Sequence, residues 1–314
     1  MSRIALAFDL GGTELRAALV GDGGRLLAFA SVPTRARDGP DAVIEQIAML
    51  AEKTCSEVPD ARPLGIGIGA PGPLVPIAGI LTAPPTLSGW REVPLARLLQ
   101  DRLNLPVRLE NDANAAALGE WRFGAGRGAA SLVFVTVSTG IGGGVISDNR
   151  IVHGRRGLAG EIGHMTITSE SEQCHCGAVG CFEAVASGTA LGRRATALTK
   201  PGDGSALRTL SHDGEVTGRH VVEAARGGDE AALALIDKEA RWLGIGFTNL
   251  LHLYSPDMIV MGGGISHGYD LLHKPIEATI QERAMPAYRD VPVVPAQLGR
   301  HAGLIGAASL IFLD

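Results

Sequence analysis

The 314-residue sequence has no surplus of positive charge. It carries 28 Lys and Arg against 33 Asp and Glu, which gives a net charge of -5. A protein that binds nucleic acid through the phosphate backbone needs an excess of Lys and Arg on the binding face. We therefore expect no nucleic-acid partner.

The sequence also lacks a stretch that could cross a membrane or direct export. The least charged stretch, residues 65–81, is shorter than the roughly 20 residues that a membrane helix needs, and three prolines interrupt it. At the start of the chain, Asp9 falls inside the apolar stretch, and no small-residue cleavage site follows a long enough apolar region. The expected location is the cytoplasm, without membrane contact.

Cysteine is scarce as well, with four residues in the chain. Four make a poor disulfide framework for a chain of this length, but Cys174, Cys176 and Cys181 are crowded together. Such crowding is typical of a metal site in a protein of a reducing compartment. The alternative is that these three thiols are small core residues.

What the sequence does have is the composition of a folded protein with many tight turns. Hydrophobic residues make up 46% and charged residues 19%, which excludes extended disorder. The 43 Gly and 17 Pro follow no G-X-Y period, so they indicate backbone turns rather than collagen. At roughly 100 to 200 residues per domain, the length predicts two domains.

Apolar patterning predicts an α/β protein whose second half repeats the first. The chain opens with three strands separated by glycine turns, which predict an antiparallel meander at residues 4–8, 14–20 and 26–31. Helical and strand patterns then alternate as far as residue 121. After a linker at residues 124–128, the pattern restarts with a strand at 132–138, a glycine-rich loop and a strand at 144–147. A short apolar helix at 304–312 closes the chain.

Two glycine-rich turns follow strands in corresponding places, at residues 9–13 and 138–144. Their glycines let backbone N–H groups approach a ligand, and the Asp at the end of the first strand can hold a hydrated Mg²⁺. One such turn alone could be a plain hairpin turn, but two suit the phosphates of a nucleotide. The candidates for binding phosphate or Mg²⁺ are Asp9, Gly11, Gly12, Thr13, Thr139 and Gly140.

Two other glycine motifs are weaker. Residues 67–72 match G-x-G-x-x-G after a strand, but the prolines around them forbid the helix whose N-terminus would hold a dinucleotide. Gly262, Gly263 and Gly264 follow a strand at 258–261. They are either a plain turn or a place where an adenosine approaches the backbone, and Gly262 and Gly263 are kept as nucleotide candidates.

Asn111 and Asp112 lie where a strand gives way to a helix. Asp112 is well placed to be a helix N-cap. A carboxylate at such a turn, facing a cleft, could instead accept the proton of an attacking hydroxyl. The preceding Glu110 is expected to point away, because side chains alternate along a strand.

Motifs along nearly the whole chain resemble the ROK family of sugar kinases and repressors. They are DxGGT at 9–13, END at 110–112, STGIGGG at 138–144, GEIGH at 160–164 and CHCGAVGCFE at 174–183. The resemblance implies a two-domain actin/hexokinase-like ATPase fold of the α/β class, with sugar and ATP in an interdomain active-site cleft. The implied domains are residues 1–120 and 121–302, with a last helix at about 303–314 packed back on the first domain.

The resemblance makes Asp112 the catalytic base and implies a set of sugar contacts. Side chains with both donors and acceptors suit hydroxyl groups. The implied sugar contacts are Gly72, Thr86, Asn111, Asp112, Glu161, His164 and Glu183. Thr86 stands where family glucokinases usually have Asn. Because a smaller side chain can free space at the sugar 2-position, N-acetylmannosamine competes with glucose as the expected substrate.

The resemblance also places a fourth zinc ligand, His164, in the GEIGH segment. Together with Cys174, Cys176 and Cys181 it makes a closed set of one imidazole and three thiolates, which suits a structural zinc. His175, between two of the thiols, is the alternative ligand. One ring nitrogen of His164 could bind zinc while the other meets the sugar.

These features favour an ATP-dependent kinase that phosphorylates the 6-hydroxyl of a hexose. A repressor of the family is less favoured, because a DNA-binding segment is expected before the first strand and that strand begins at Ile4. An inactive relative is expected to lose Asp112, Asp9 or the turn glycines, which are all present. The expected cofactors are ATP, Mg²⁺ and structural Zn²⁺, and a homodimer is expected from the resemblance.

Overall fold

The computed structural model describes residues 3–169, 172–199, 205–212 and 214–313. The strands are β1 (Ile4–Leu10), β2 (Glu14–Gly21), β3 (Leu26–Pro33), β4 (Ile66–Ala70), β5 (Leu74–Val75), β6 (Ile80–Leu81), β7 (Val107–Asn111), β8 (Leu132–Val137), β9 (Ile141–Ser147), β10 (Arg150–Ile151), β11 (Met258–Gly262) and β12 (Val293–Pro295). The helices are α1 (Pro40–Ser56), α2 (Leu95–Leu103), α3 (Asp112–Phe123), α4 (Phe182–Ala186), α5 (Gly188–Leu198), α6 (Ala206–Ser211), α7 (Gly218–Arg226), α8 (Glu230–Tyr254), α9 (Tyr269–Arg283) and α10 (Ala302–Phe312).

The first half is built on a five-stranded sheet in the order β3-β2-β1-β4-β7. Its first three strands form the predicted antiparallel meander, and β4 and β7 extend the sheet in parallel with β1. Parallel neighbours need long crossover connections, which contain α1 and α2. α1 starts with Pro40 at its first turn and buries Val43, Ile47 and Ala51 at four-residue spacing.

The second half repeats this arrangement in the order β10-β9-β8-β11-β12. Strands β8, β9 and β10 form an antiparallel meander, and β11 and β12 add to β8 in parallel. The predicted repeat is therefore confirmed in the order and direction of the strands. The longest helix, α8, has 25 residues and packs in the core of this half. Among the helices of the described ranges, none is long and apolar enough to cross a bilayer.

The last helix, α10, returns to the first sheet. Leu304 and Ala307 are buried there in a cluster with Ala5 and Val20. Gly67 in β4 lets the helix lie this close, because a Cβ at that position would be 1.8 Å from the Ala307 carbonyl oxygen. The helix predicted at residues 304–312 is confirmed, whereas the end at about residue 314 that the resemblance implied lies outside the described residues.

Helix α3 lies between the two sheets. It crosses α10 so closely that a Cβ on Gly306 would be 1.6 Å from the Ala115 carbonyl oxygen. On the other side α3 contacts β8 and β9, and Ala117 shares a buried cluster with Leu132 and Phe134. The predicted domain boundary after residue 120 falls inside this helix, and it stays a prediction.

Candidate active site

The two predicted phosphate turns lie at corresponding places in the two sheets. Residues 11–13 join β1 to β2, and residues 138–140 join β8 to β9. The second turn is closed by a hydrogen bond from the Ser138 N–H to the Gly140 carbonyl oxygen at 2.8 Å. Each half of the molecule thus presents one tight turn between its first two strands.

The second turn is shorter than the sequence suggested. The prediction of a loop through residue 144 is wrong, because β9 begins at Ile141. Gly144 serves packing instead, since a Cβ there would be 2.6 Å from the Ala117 Cβ in α3. A larger residue would push α3 away from the second sheet.

Gly12 and Gly140 each lie against a neighbouring side chain. A Cβ on Gly12 would be 2.8 Å from the Thr86 Cβ, and a Cβ on Gly140 would be 2.1 Å from the Glu183 Oε2. The same Glu183 oxygen accepts the Ile141 N–H at 2.9 Å. Packing against Thr86 therefore requires glycine at position 12, whereas a side chain at position 140 would displace the Glu183 carboxylate from the Ile141 N–H.

Asn111 ends β7 and Asp112 begins α3. The Asn111 Oδ1 accepts the N–H groups of Ala113 at 2.9 Å and Asn114 at 3.2 Å, which makes Asn111 the N-cap. The interpretation of Asp112 as the N-cap is therefore wrong. Asp112 is the first helical residue, and its carboxylate accepts the Ala113 N–H at 2.8 Å.

Asp112 has an unusually basic carboxylate. Its side chain is open to the cleft, but the protein around the cleft floor excludes much of the water and raises its pKa to about 6. The negative charges of Asp9 and Glu161 also raise the pKa of Asp112. Burial raises the pKa of Asp9 too, although the Arg16 guanidinium lies 3.5 Å from the Asp9 carboxylate and opposes this effect. A carboxylate with a pKa close to neutrality is suited to accept a proton from a hydroxyl group.

A cavity of about 430 Å³ opens in front of this carboxylate. It brings together five of the predicted sugar residues, which are Gly72, Asn111, Asp112, Glu161 and His164. The absence of a side chain at Gly72 keeps it open, because a Cβ there would be 3.5 Å from the Asn111 Nδ2 and 3.8 Å from a Glu161 oxygen. Side chains that can bind hydroxyl groups therefore share one cavity with a basic carboxylate.

Two other predicted sugar residues do not line this cavity. Thr86 is exposed beside Gly12, and its neighbour Pro85 lines the cavity in its place. Glu183 contacts the second turn, and its Oε1 lies 3.0 Å from the His175 Nδ1. A sugar contact of Thr86 or Glu183 stays a prediction.

A larger cavity, of about 1260 Å³, opens beside the second turn. Thr139 lines it, as do residues of α5 and α7 and Gly264 after β11. The candidates Gly262 and Gly263 are not part of this lining. A Cβ on Gly263 would be 2.4 Å from the Val137 carbonyl oxygen, so Gly263 packs against the end of β8.

His164 and three cysteines converge on one point. One ligand atom from each of His164, Cys174, Cys176 and Cys181 lies within 4.8 Å of the others. The Sγ atoms of Cys176 and Cys181 are 3.7 Å apart, and the Cys174 Sγ is 3.7 Å from the His164 Nδ1. Two sulfurs bound to one tetrahedral zinc at about 2.3 Å are separated by about 3.8 Å. The four side chains therefore have the spacing that a zinc ion requires.

His175 fits this group less well. Its Nδ1 is 3.9 Å from the Cys174 Sγ and 3.0 Å from the Glu183 Oε1, and it belongs to a separate three-residue group with them. The ring is mostly exposed, whereas Cys174 and Cys181 are buried. His164 is therefore the better fourth ligand.

Comparison with known proteins identifies the family. The sequence model of the ROK family matches residues 5–312. The chain belongs to the ROK family. Its relatives include a glucokinase of Halalkalibacterium halodurans, 37% identical over 308 residues, which span 96% of this chain and 93% of the relative.

Solved ROK structures share the fold. A ROK family glucokinase from Streptomyces griseus, in complex with glucose and AMPPNP, is 35% identical with a TM-score of 0.84 over 98% of both chains. A ROK family transcriptional regulator, a homologue of the E. coli MLC protein, is 29% identical with a TM-score of 0.90 over 99% of this chain and 78% of that one. This ROK protein therefore has the two-domain actin/hexokinase-like ATPase fold that the resemblance implied.

Sequence reasoning missed most of the larger cavity of this ROK protein. The missed lining includes Gly188, Thr189, Gly192, Arg193, Thr217, Gly218, Arg219 and Arg226. One signal was available in the sequence, because glycine destabilises a helix and its presence there suggests that another part of the chain lies too close for a side chain. A Cβ on Gly192 in α5 would be 2.6 Å from the Val216 carbonyl oxygen, and one on Gly218 would be 2.7 Å from the Ile265 side chain.

Proposed function

We propose that this ROK protein is an ATP-dependent sugar kinase that transfers the γ-phosphoryl group of ATP to the 6-hydroxyl of a hexose, with glucose as the first substrate. The observation that carries the proposal is the Asp112 carboxylate, whose pKa is raised to about 6 and which opens to a cavity of hydroxyl-binding side chains. Similarity to glucokinases over nearly the whole chain supports it. N-acetylmannosamine is the alternative substrate, because Thr86 replaces the usual Asn.

In the proposed reaction the sugar occupies the smaller cavity and ATP the larger one. Asn111 uses its Oδ1 to cap α3, which leaves its Nδ2 to donate to a sugar hydroxyl. The 6-hydroxyl oxygen forms a bond to the γ-phosphorus while the bond from that phosphorus to the β–γ bridging oxygen breaks and ADP leaves. Asp112 takes the hydroxyl proton. Backbone N–H groups of the two turns and the Thr139 hydroxyl hold the phosphates.

Asp9 is the residue proposed to hold Mg²⁺. Its carboxylate ends β1 beside the first turn, and oxygen donors of this kind are the ligands that Mg²⁺ prefers. Arg16, 3.5 Å from the Asp9 carboxylate, offsets part of its negative charge, but Asp9, Asp112 and Glu161 act on one another as like charges, so carboxylates outnumber this cation. When bound, Mg²⁺ supplies positive charge that neutralises the transferring phosphoryl group.

We also propose a structural zinc held by His164, Cys174, Cys176 and Cys181. Burial raises the pKa of Cys174 and raises that of Cys181 to about 12, so these groups are thiols unless a cation draws off their protons. Four protein ligands leave no open position for a reacting water, which suits a structural role. With Nδ1 on the metal, the His164 ring would turn its Nε2 toward the sugar cavity.

The proposed domains follow the two sheets. Residues 1–120 with α10 form the first, and residues 121–302 form the second. Each has its own sheet and its own buried core. We infer that the helix α3, which contacts both sheets, connects the domains at the floor of the cleft.

A coupled assay of ADP release tests the kinase activity. The purified protein is given ATP, Mg²⁺ and one sugar at a time, from glucose, mannose, fructose, N-acetylglucosamine and N-acetylmannosamine. We expect sugar-dependent ADP release with one hexose preferred and a 6-phosphate product by NMR. Sugar binding without ADP release for all five sugars would contradict a kinase and indicate a sugar-binding protein.

A further inference from the structure

The loop of residues 153–160, which we call the strap, forms one wall of the smaller cavity. It follows β10 in the second half, and its base is closed by a hydrogen bond from the Ala159 N–H to the His153 carbonyl oxygen at 3.0 Å. Residues 157–160 line the cavity directly before Glu161. The shape of the sugar cavity therefore depends on where the strap lies.

The strap contacts the first half of the molecule at its tip and at its base. At the tip, Gly157 has a φ of 72°, and a Cβ there would be 2.6 Å from the Pro76 Cδ in the β5–β6 hairpin. At the base, the His153 Nε2 lies 2.6 Å from the Glu110 Oε2 at the end of β7. The His153–Glu110 contact is the polar link between the strap and the strand that carries Asn111.

Glu110 is 2% exposed, and both of its oxygens have partners. Oε1 accepts the Asn111 N–H at 2.9 Å and the Asn114 Nδ2 at 3.0 Å, and Oε2 accepts from His153. The hydrogen bond to Glu110 raises the pKa of His153, which favours the protonated ring. One buried carboxylate thus connects the backbone of a cavity residue to the strap through a charge-assisted hydrogen bond.

Asn114 lies beside the other end of the strap. Its amide nitrogen is held by Glu110, and its Oδ1 is buried without a hydrogen-bond partner in the described part of the chain. That oxygen faces Gly160, where a Cβ would be 3.5 Å from it. The same Cβ would be 3.0 Å from the Gly143 carbonyl oxygen, which leaves little room for a side chain at this position. Both ends of the strap are therefore packed against the start of α3 and the end of β7.

We propose that Glu110 and His153 are a positioning pair for sugar binding, which holds the strap where it completes the cavity beside Asn111 and Asp112. This inference rests on the proposed function, because it assigns the smaller cavity to the sugar. Neither side chain lines the cavity, so the pair acts through the strap and through Asn111. Nucleotide binding should be independent of it, because the larger cavity has a different lining.

The test compares three variants for their steady-state kinetics. The His153 side chain is about one-third exposed, so His153→Ala should fold, and we expect it to raise the sugar KM by about tenfold or more. The ATP KM should stay unchanged and kcat should fall less than the sugar KM rises. His153→Gln keeps a donor for Glu110 and should restore part of the affinity. Arg155→Ala changes an exposed residue of the same strap and should resemble the unmodified protein.

Amide hydrogen exchange gives a second readout that needs no substrate. The Ala159 N–H should exchange faster in His153→Ala than in the unmodified protein or in Arg155→Ala. If the unmodified protein phosphorylates no hexose, the proposed function fails, while the exchange result still decides whether the pair holds the strap. Unchanged exchange at Ala159, an unchanged sugar KM in an active His153→Ala protein, or an equal rise in the ATP KM would overturn the inference.

Discussion

Opposing electrostatic effects act on Asp112 at the residue scale. The hydrogen bond from the Ala113 N–H and the position at the start of α3 favour the ionised carboxylate. Loss of water in the cleft and the charges of Asp9 and Glu161 favour the protonated form. These effects are the larger ones, so the pKa of Asp112 rises to about 6. The outcome is a stronger base than an exposed Asp.

The first prediction concerns Asp112→Asn. The amide cannot accept the hydroxyl proton, so kcat should fall by about 10²- to 10⁴-fold. Sugar affinity, measured by calorimetry, should change little because Asn keeps the size and polarity of the side chain. In the unmodified protein, kcat/KM should fall as the pH drops below about 6, because protonated Asp112 cannot act as a base. A variant within about threefold of the original kcat, well short of that range, would leave Asp112 without a role as the base.

The second prediction concerns the choice of sugar. Thr86→Asn should raise the ratio of kcat/KM for glucose to that for N-acetylmannosamine, because the amide adds a donor and fills space. One hydrogen bond contributes about 0.5 to 1.5 kcal/mol, so the ratio should change by about tenfold at most. The same comparison made with Ser88→Asn, at an exposed position in the same loop, serves as the control. An unchanged ratio would mean that the side chain at position 86 packs against Gly12 and does not contact the sugar.

At the scale of elements, the turn between β8 and β9 depends on the segment that carries the cysteines. Glu183, at the start of α4, accepts the Ile141 N–H, and its Oε2 occupies the space beside Gly140. The cysteine group precedes Glu183 directly, with Cys181 two residues before it. Glu183 therefore connects the turn at residues 138–140 to the segment that carries the cysteines.

The third prediction tests this turn with Gly140→Ala. The added Cβ would be 2.1 Å from the Glu183 Oε2, so Glu183 must move and the turn should lose its shape. We expect the ATP KM to rise more than the sugar KM in steady-state assays. Gly23→Ala, in the turn between β2 and β3, is the matched control, because a Cβ on Gly23 would have nothing within 4 Å. Equal ATP affinity in both variants would indicate that residues 138–140 form a plain hairpin turn.

The fourth prediction concerns the proposed zinc. Cys176→Ala leaves three ligands, so the purified protein should contain less than one zinc per chain by atomic absorption. Sugar affinity should fall before ATP affinity does, because His164 lines the sugar cavity. Cys55→Ala, outside the group, should keep both its metal and its affinities. Normal sugar binding in metal-free protein would leave Cys174 and Cys181 as core residues and the exposed Cys176 without a role.

In the molecule as a whole, one buried carboxylate holds together the two segments through which the chain passes between the halves. Glu120, near the end of α3, is fully buried. It accepts the Ala125 N–H at 2.9 Å, where the chain leaves for the second sheet. It also accepts the N–H groups of Gln297 at 3.1 Å and Leu298 at 2.7 Å, where the chain returns toward α10.

The fifth prediction is that Glu120→Ala destabilises the protein. It leaves three backbone N–H groups without an acceptor, and each such group costs about 1 to 3 kcal/mol when buried. Because Gln297 is exposed and Ala125 and Leu298 are only partly buried, we expect the free energy of unfolding in urea to fall by about 2 to 5 kcal/mol in total. Glu120→Gln, which keeps one acceptor oxygen, should lose less. A loss below about 0.5 kcal/mol, the usual range for an uninvolved surface site, would show that Glu120 does not hold the two connections.

Features that depend on neighbouring residues could be predicted from the sequence. Alternating apolar residues and glycine turns predicted the meander β1-β2-β3 and its repeat, because the pattern that buries one face of a strand is local. The contiguous motifs at residues 9–13, 110–112, 138–144, 160–164 and 174–183 predicted the family, which the ROK sequence model confirms. The crowded cysteines predicted a metal site, and the family resemblance added His164 to a group that the structure brings together.

Features that depend on residues far apart in the chain became visible in the three-dimensional structure alone. The choice of Asn111 over Asp112 as the N-cap required the backbone angles at the end of β7. The raised pKa of Asp112 required the exclusion of water at the cleft floor and the charge of Asp9, which lies about a hundred residues earlier and comes near because β1 and β7 flank β4 in one sheet. The contact of Glu110 with His153 has no local signal, because Glu110 belongs to the first sheet and His153 to a loop that follows the second sheet's strand β10. Such contacts arise from how the two halves pack on α3, which no short stretch of sequence encodes.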